Sequence, residues 1–481
     1  MTTTTEGALA TSDEASVAPF ILEAVKDIAL PRGVPKARGT YDHLEGAKGV
    51  LDGVLNIGRF MRHGVKWARD LVDTHPPVFC VRFGPEMNVC IADPDEILAA
   101  FRNDSGAFSA AIAWKKSFDG IDDNDGRIRG PLFSDLHAHR DVRKLLAPAF
   151  SQAAMAGYLE VAYPMFEATI DRWVERGAID SKSEIRSLLA AVAGRIFVGF
   201  TEPADQVALD HWMKDVWRAP LAIIRNPYLD PNWRAARRAY RAVMAKLESL
   251  VRERRSTPTN DLLGRVASST ETVASDLDDD FARASVVLNI MLGAFDTTAS
   301  GLASFVYLLA KHPEWQEKLR EEALTLGKRP VAFDETRSLD LCDRAWKETL
   351  RLYPVTPAPP RVTLRDIDVA GYHIPAGSTV ALVLNAQMFN RKIWSDPDRF
   401  DPDRFSPERA EDKRSRGGYL PFGAGPHTCI GMQLANAEVK AFVHALLVRC
   451  RFRLERDYEG THRYEPMGMV SGKVRLVVER L

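Results

Sequence analysis

Between Ala284 and Ala310 the chain carries a single charged residue, Asp296. The helical pattern around it runs from 278 to 311, where His312-Pro313 stops it. At ~1.5 Å per residue such a helix is ~50 Å long, and its length and apolarity alone would suit a bilayer. Its midpoint, Gly293-Ala294-Phe295-Asp296-Thr297-Thr298, argues otherwise. An ionisable side chain is costly in lipid and marks a functional position instead. The pattern therefore predicts a buried helix crossing a soluble domain. A hydroxyl next to a carboxylate can pass protons through water. The alternative is that Asp296 and Thr297 only cap or bend the helix, since Thr can bond the carbonyl one turn back.

The 481 residues are 46% hydrophobic and 27% charged, enough for a sizeable core. A net charge of −1 gives no electrostatic case for nucleic acid. The five cysteines, Cys80, Cys90, Cys342, Cys429 and Cys450, are scattered with no CxxC pair, which points to reduced thiols and a cytoplasmic setting. Residues 1–40 read as a peripheral N-terminal segment, small and polar at its start. The apolar stretch from 16 to 30 carries Glu23, Lys26 and Asp27, too short and too charged for an integral membrane anchor. It also lacks the basic region and cleavage site of a signal peptide.

Residues 78–83 and 88–92 predict a β-hairpin about Gly84-Pro85. Asp93-Pro94 opens a helix. Residues 104–136, rich in Gly, Asp and Ser and punctuated by Phe108, Trp114 and Phe118, read as a long functional loop. In HAHRDVRKLLAPAFS, His139 and Arg143 share one helix face, which by itself suits an exposed basic helix equally well. Residues 155–260 read as mostly helical. The apolar, proline-rich connection 217–233 suits a lid, a membrane contact or an ordinary packed link between helices.

Near the C-terminal end stands PFGAGPHTCIGMQLA, residues 421–435. Its glycines permit backbone angles other residues avoid and let a flat ligand come close. A helix starting at Ile430 or Gly431 would aim its positive end at Cys429 and lower the thiol pKa. Cys429 also has two plainer readings: an inert buried thiol, or a nucleophile paired with His427.

The stretch resembles the haem-ligand signature of the cytochrome P450 family, F-x-x-G-x-[HR]-x-C-x-G, through Phe422, Gly425, His427, Cys429 and Gly431. The resemblance runs over roughly residues 60–475 and implies Cys429 as axial ligand of the iron of haem b. The central segment is similar to the family's [AG]-G-x-[DE]-T-[TS], with Gly-Ala in place of the usual pair, implying Asp296 as proton relay and Thr297 as oxygen-binding hydroxyl. His139, Arg143, Arg361 and His427 match the positions that contact haem propionates. Glu348 and Arg351, with Arg404 of PDRFDPDRF, match the E-x-x-R and P-x-R-F pair, a structural cluster behind the haem. By analogy, Thr356 to Ala358 and the turn from Met467 to Gly472 line the pocket.

The implied fold is mainly α with a small β-rich lobe, one domain over 41–481. The implied activity is a monooxygenase acting on a hydrophobic terpenoid, steroid, fatty acid or polyketide. Its partners would be O2 and a ferredoxin or flavodoxin-like electron donor docking near Lys413, Arg414 and Arg416. The rival readings are a haem-thiolate isomerase or peroxygenase, and a non-catalytic haem sensor. The Asp296-Thr297 pair speaks against both.

Overall fold

A computed structural model describes residues 41–83, 86–118, 120–122, 128–221, 226, 228–269, 279–464 and 467–481. Residues 1–40, and 222–225 and 227 of the proline-rich connection, lie outside the described residues.

The apolar run becomes the helix Asp280–Lys311, capped by Asp279, whose Oδ1 accepts from the Ala282 N–H at 2.6 Å. Most of its length is buried, as expected of a core helix. It packs against the helices Ser181–Val198, Pro231–Ser256 and Met432–Leu447. A second helix stack joins Gln152–Arg176 to Met432–Leu447. There the Phe442 ring meets Phe166 edge-on at 5.5 Å and Trp173 at 6.0 Å. Each such pair adds about 0.5–1.5 kcal/mol beyond plain burial, so the helix that follows Cys429 is anchored from behind.

The strands, in chain order, are β1 (Gly46–Ala47), β2 (Val78–Phe83), β3 (Glu86–Ile91), β4 (Phe108–Ser109), β5 (Ala178–Asp180), β6 (Pro360–Thr363), β7 (Ile367–Val369), β8 (Tyr372–Ile374), β9 (Thr379–Leu382), β10 (Cys450–Leu454), β11 (His462–Tyr464), β12 (Gly468–Val470) and β13 (Arg475–Arg480). The largest sheet has the order β1-β2-β3-β9-β6-β4, and β13 lies between β10 and β5. The expected hairpin is β2 with β3, antiparallel, pairing Val78 with Ile91 and Phe83 with Glu86. The helix after it is Pro94–Arg102, capped by Asp93 Oδ1 and closed by Asn103 in the left-handed region at φ 51°.

Residues 104–136 depart from the expected loop. Phe108–Ser109 joins the sheet as β4, and Ala110–Ser117 is a helix. Ser109 Oγ caps it by accepting from the Ile112 N–H at 2.9 Å. The alanines at 110, 111 and 113 are strong helix formers, which outweighed the turn-like composition on either side. In the 217–233 connection, Trp217 and Ala219 are buried while Tyr228 and Leu229 are exposed.

Candidate active site

The loop before the helix Met432–Leu447 owes its shape to two glycines. Gly423 and Gly425 have φ of 68° and 65°. A Cβ on Gly425 would stand 2.4 Å from the Phe101 carbonyl oxygen, so the loop lies directly on the end of helix Pro94–Arg102. The Cys429 N–H donates to the Phe422 carbonyl at 3.0 Å, and Arg143 Nη1 donates to the Thr428 carbonyl at 2.9 Å. Arg143 therefore braces the loop one residue before the sulfur. Cys429 is the only one of the five cysteines with an exposed surface.

The helix begins at Met432 with Gly431 as its cap, slightly later than the sequence suggested. The expected lowering of the Cys429 pKa is not found. Burial by surrounding protein pushes the thiol above its ordinary value, and the N–H groups of Gly431 and Met432 oppose that only in part. The sulfur is open on one side yet crowded on the others, and the crowding dominates.

Above the loop sits a cluster of titratable side chains. The His139 and His427 rings lie 4.1 Å apart. His427 Nε2 reaches Asp135 Oδ1 at 3.2 Å, so in this structure the histidine's partner is a carboxylate of the protein itself. Asp135 also accepts from the Ser109 hydroxyl at 2.5 Å and from the N–H groups of Ala110 and Ala111. Burial alone would raise its carboxyl. The His427 bond and charge, Ser109 and the Ala111 N–H together hold it below the ordinary carboxylate range. His139 is almost wholly buried and its Nε2 has no hydrogen-bond partner. Burial first, then His427 and Arg143, push its pKa down to about 3, so the ring is neutral. His137, two residues before His139, is exposed and lies against Arg140.

Arg361 is 4% exposed, stacks its guanidinium 5.1 Å from the Phe101 ring, and donates to the carbonyl of Pro360 at 2.8 Å. Burial lowers its pKa to about 10, with Asp135 acting the other way. Two donors in protected positions, neither paired with a carboxylate of its own, are what a dianionic planar cofactor needs. On the central helix, a Cβ added to Gly293 would meet nothing within 4 Å. The open side of Gly293, the accessible sulfur and the waiting donors fit a haem.

Thr297 Oγ1 donates to the Gly293 carbonyl at 2.5 Å, and Thr298 Oγ1 to that of Ala294 at 2.8 Å. The back-bond expected as the plain alternative is thus made, and it leaves the lone pairs of the Thr297 oxygen available. Asp296 is buried and paired with Arg186, which also approaches Asp210 at 3.4 Å. Burial raises its carboxyl to about 6 even though Arg186 pulls it down, and its Oδ2 has no partner.

Glu348, Arg351 and Arg404, grouped by the family resemblance, come together. Glu348 accepts from Arg351 at 2.7 and 2.9 Å and from Arg404 Nε at 3.0 Å, and all three side chains have no exposure. Arg351 Nη1 also donates to the Met388 carbonyl at 2.7 Å. The structure adds a member: buried Glu411 accepts from Arg404 at 2.9 Å and from Arg409 at 2.8 Å. Sequence reading missed Glu411, taking EDKRSRGG as a basic patch. Lys413, Arg414 and Arg416 are all exposed, and Arg414 also reaches Glu411 and the Ile393 carbonyl. Arg186 and Asp135 were also missed, because each meets its partner only through tertiary packing.

A cavity of about 260 Å³ lies between the helix Val50–Thr74, the large sheet and the helix Ala110–Ser117. Thr356, Pro357 and Ala358 contribute to its wall.

The family model for cytochrome P450 matches residues 54–479. A Mycobacterium tuberculosis protein provisionally named cytochrome P450 136 is 32% identical over 351 residues, 70% of either chain. The cyclooctat-9-en-7-ol 5-monooxygenase of Streptomyces melanosporofaciens is 30% identical over 331 residues, covering 66% of this chain and 71% of that one. Among solved structures, the retinoic-acid-bound cyanobacterial CYP120A1 superposes with a TM-score of 0.79 at 21% identity, over 88% of this chain and 96% of that one. The sulfur-bearing loop, the mainly helical fold with its small sheets and the family-wide match agree: this chain belongs to the cytochrome P450 family of haem-thiolate oxygenases.

Proposed function

We propose that the protein is a monooxygenase that binds haem b through Cys429 and inserts one atom of O2 into a C–H bond of a hydrophobic substrate. Haem supplies the oxygen chemistry, and thiolate ligation favours O–O cleavage. His139, Arg143, Arg361 and His427 bind the propionates, with the unpartnered His139 Nε2 as one donor. Asp296, raised to about 6, titrates close enough to neutral pH to take up a proton and deliver it past the Thr297 hydroxyl, which itself donates to the Gly293 carbonyl. The buried Glu348–Arg351–Arg404 cluster keeps the sulfur loop's surroundings rigid. A single domain over 41–481 carries all of these residues.

Within the hydrophobic substrate classes, terpenoids are favoured. The names of two relatives carry retinoic acid and cyclooctat-9-en-7-ol, each a hydrocarbon skeleton with one oxygenated group. Electrons come from a ferredoxin or flavodoxin-like donor steered by exposed Lys413 and Arg416. A cytoplasmic location suits five free thiols.

The observation that carries this reading is the accessible Cys429 sulfur on a glycine-shaped loop. The test is the spectrum of the reduced carbon monoxide complex, followed by turnover of a terpenoid panel with a reduced ferredoxin. A thiolate-type band and hydroxylated product are expected. A globin-type band in intact protein, or activity in Cys429→Ser, would refute it.

A further inference from the structure

Asp135 stands at the start of the helix Leu136–Leu146, where an aspartate side chain ordinarily accepts from N–H groups of its own helix. It makes no such bond. Leu136, next in the chain, has a left-handed backbone at φ 48°, which a non-glycine residue keeps only when its surroundings fix it. The carboxylate serves a different helix. Its Oδ1 accepts from the Ala110 N–H at 3.2 Å, and its Oδ2 from the Ala111 N–H at 3.3 Å and the Ser109 hydroxyl at 2.5 Å. These groups open the helix Ala110–Ser117, whose positive end favours an anion. On its other side Oδ1 meets His427 Nε2 at 3.2 Å. One carboxylate, 9% exposed, thus joins a helix start to the loop that carries Cys429. Its charge also acts to raise the pKa values of His139 and Arg361. Three of the four side chains assigned to the propionates therefore feel one buried anion.

We propose that Asp135 is a positioning residue for the haem, anchoring His427 at the propionate edge to the first turn of the helix Ala110–Ser117. This role rests on His427 being a propionate donor, as in the function proposed above. Hydrogen bonds to an ionised acceptor are about twice as strong as neutral ones, so the joint is stiff. The same helix brings Trp114 and Ser117 to the cavity wall, so one side chain sets that wall relative to the haem edge. A fixed negative charge there also favours ferric over ferrous iron, by plain Coulomb attraction. Asp135 therefore makes the bound haem harder to reduce.

The test compares haem-loaded wild type with Asp135→Asn, which keeps the shape and removes the charge. One measurement is the midpoint reduction potential at about pH 8, where an ordinary histidine is neutral and cannot offset the lost charge. The other is deuterium uptake of residues 108–117, read by mass spectrometry. Asp135→Asn should keep the thiolate-type carbon monoxide band and raise the potential. It should also speed exchange at Ala110 and Ala111 about tenfold or more, the scale of losing a hydrogen bond to a charge. Ser109→Ala, which cuts the hydroxyl bond and leaves the charge, should speed exchange with the potential unmoved. Faster exchange in Asp135→Asn at an unmoved potential would make Asp135 a helix cap only and overturn the proposal. A raised potential with wild-type exchange would overturn it as well. Where Asp135→Asn fails to fold, Asp135→Glu decides, since it keeps the charge but misplaces it by one methylene. Wild-type exchange in that variant would sink the tie between helix and haem edge. A wild type without the thiolate band would instead defeat the haem reading on which this role rests.

Discussion

Asp296 illustrates how one side chain is set by opposing forces. Its carboxyl is raised to about 6 by burial, against the pull of Arg186. The folded chain therefore holds a proton that the unfolded chain has lost between the ordinary 3.8 and about 6. This group weakens the fold above that range, and the penalty is relieved as pH falls through it. In Asp296→Asn, the thermal midpoint should vary less with pH across the same window. Turnover should drop about a hundredfold or more if the carboxyl moves the proton, while the haem spectrum persists. Gly425 tests a different physics. Alanine there must hold a left-handed backbone costing about 1–3 kcal/mol and also push against the Phe101 carbonyl. Gly425→Ala should melt well below wild type in a thermal scan and take up less haem. The sequence revealed Gly425 and Asp296 because each belongs to a local pattern. Arg186 was invisible because the ion pair it makes spans two helices.

At the scale of elements, periodicity and punctuation read well. The helix Asp280–Lys311 and the hairpin β2–β3 formed within a few residues of their expected limits. The failure was Ala110–Ser117, hidden between Gly- and Asp-rich flanks although Ser109 was a usable cap. Charged clusters divide in the same way. Glu348 and Arg351 are one helical turn apart and so could be paired from spacing alone, but Glu411 joins only because residues 395–411 coil back over Arg404. Breaking a buried ion pair by removing one partner costs about 3–5 kcal/mol. Glu348→Ala, leaving Arg351 and Arg404 without their carboxylate, should lose that much in a denaturant titration. Full stability in that variant would contradict the structural role.

Over the whole molecule, acid sensitivity should concentrate in the same network. Burial raises Glu411, but Arg409, the Ser395 N–H and Arg404 overcome it and lower its pKa to about 2 from the usual 4.5. Its contribution to stability is complete above 4.5 and disappears as pH falls through about 2. Acid titration followed by circular dichroism should show Glu411→Gln losing less stability than wild type over that interval. The distribution of sulfur has a practical consequence. Burial pushes the thiols of Cys80 and Cys450 up to about 12 and those of Cys90 and Cys342 higher still, and all four lie inside the protein. An alkylating reagent added to folded, pigment-free chains would find one site to modify, and coordination would shield it. Counting the adducts by mass would then measure what fraction of a preparation was assembled, with each molecule reporting its own history.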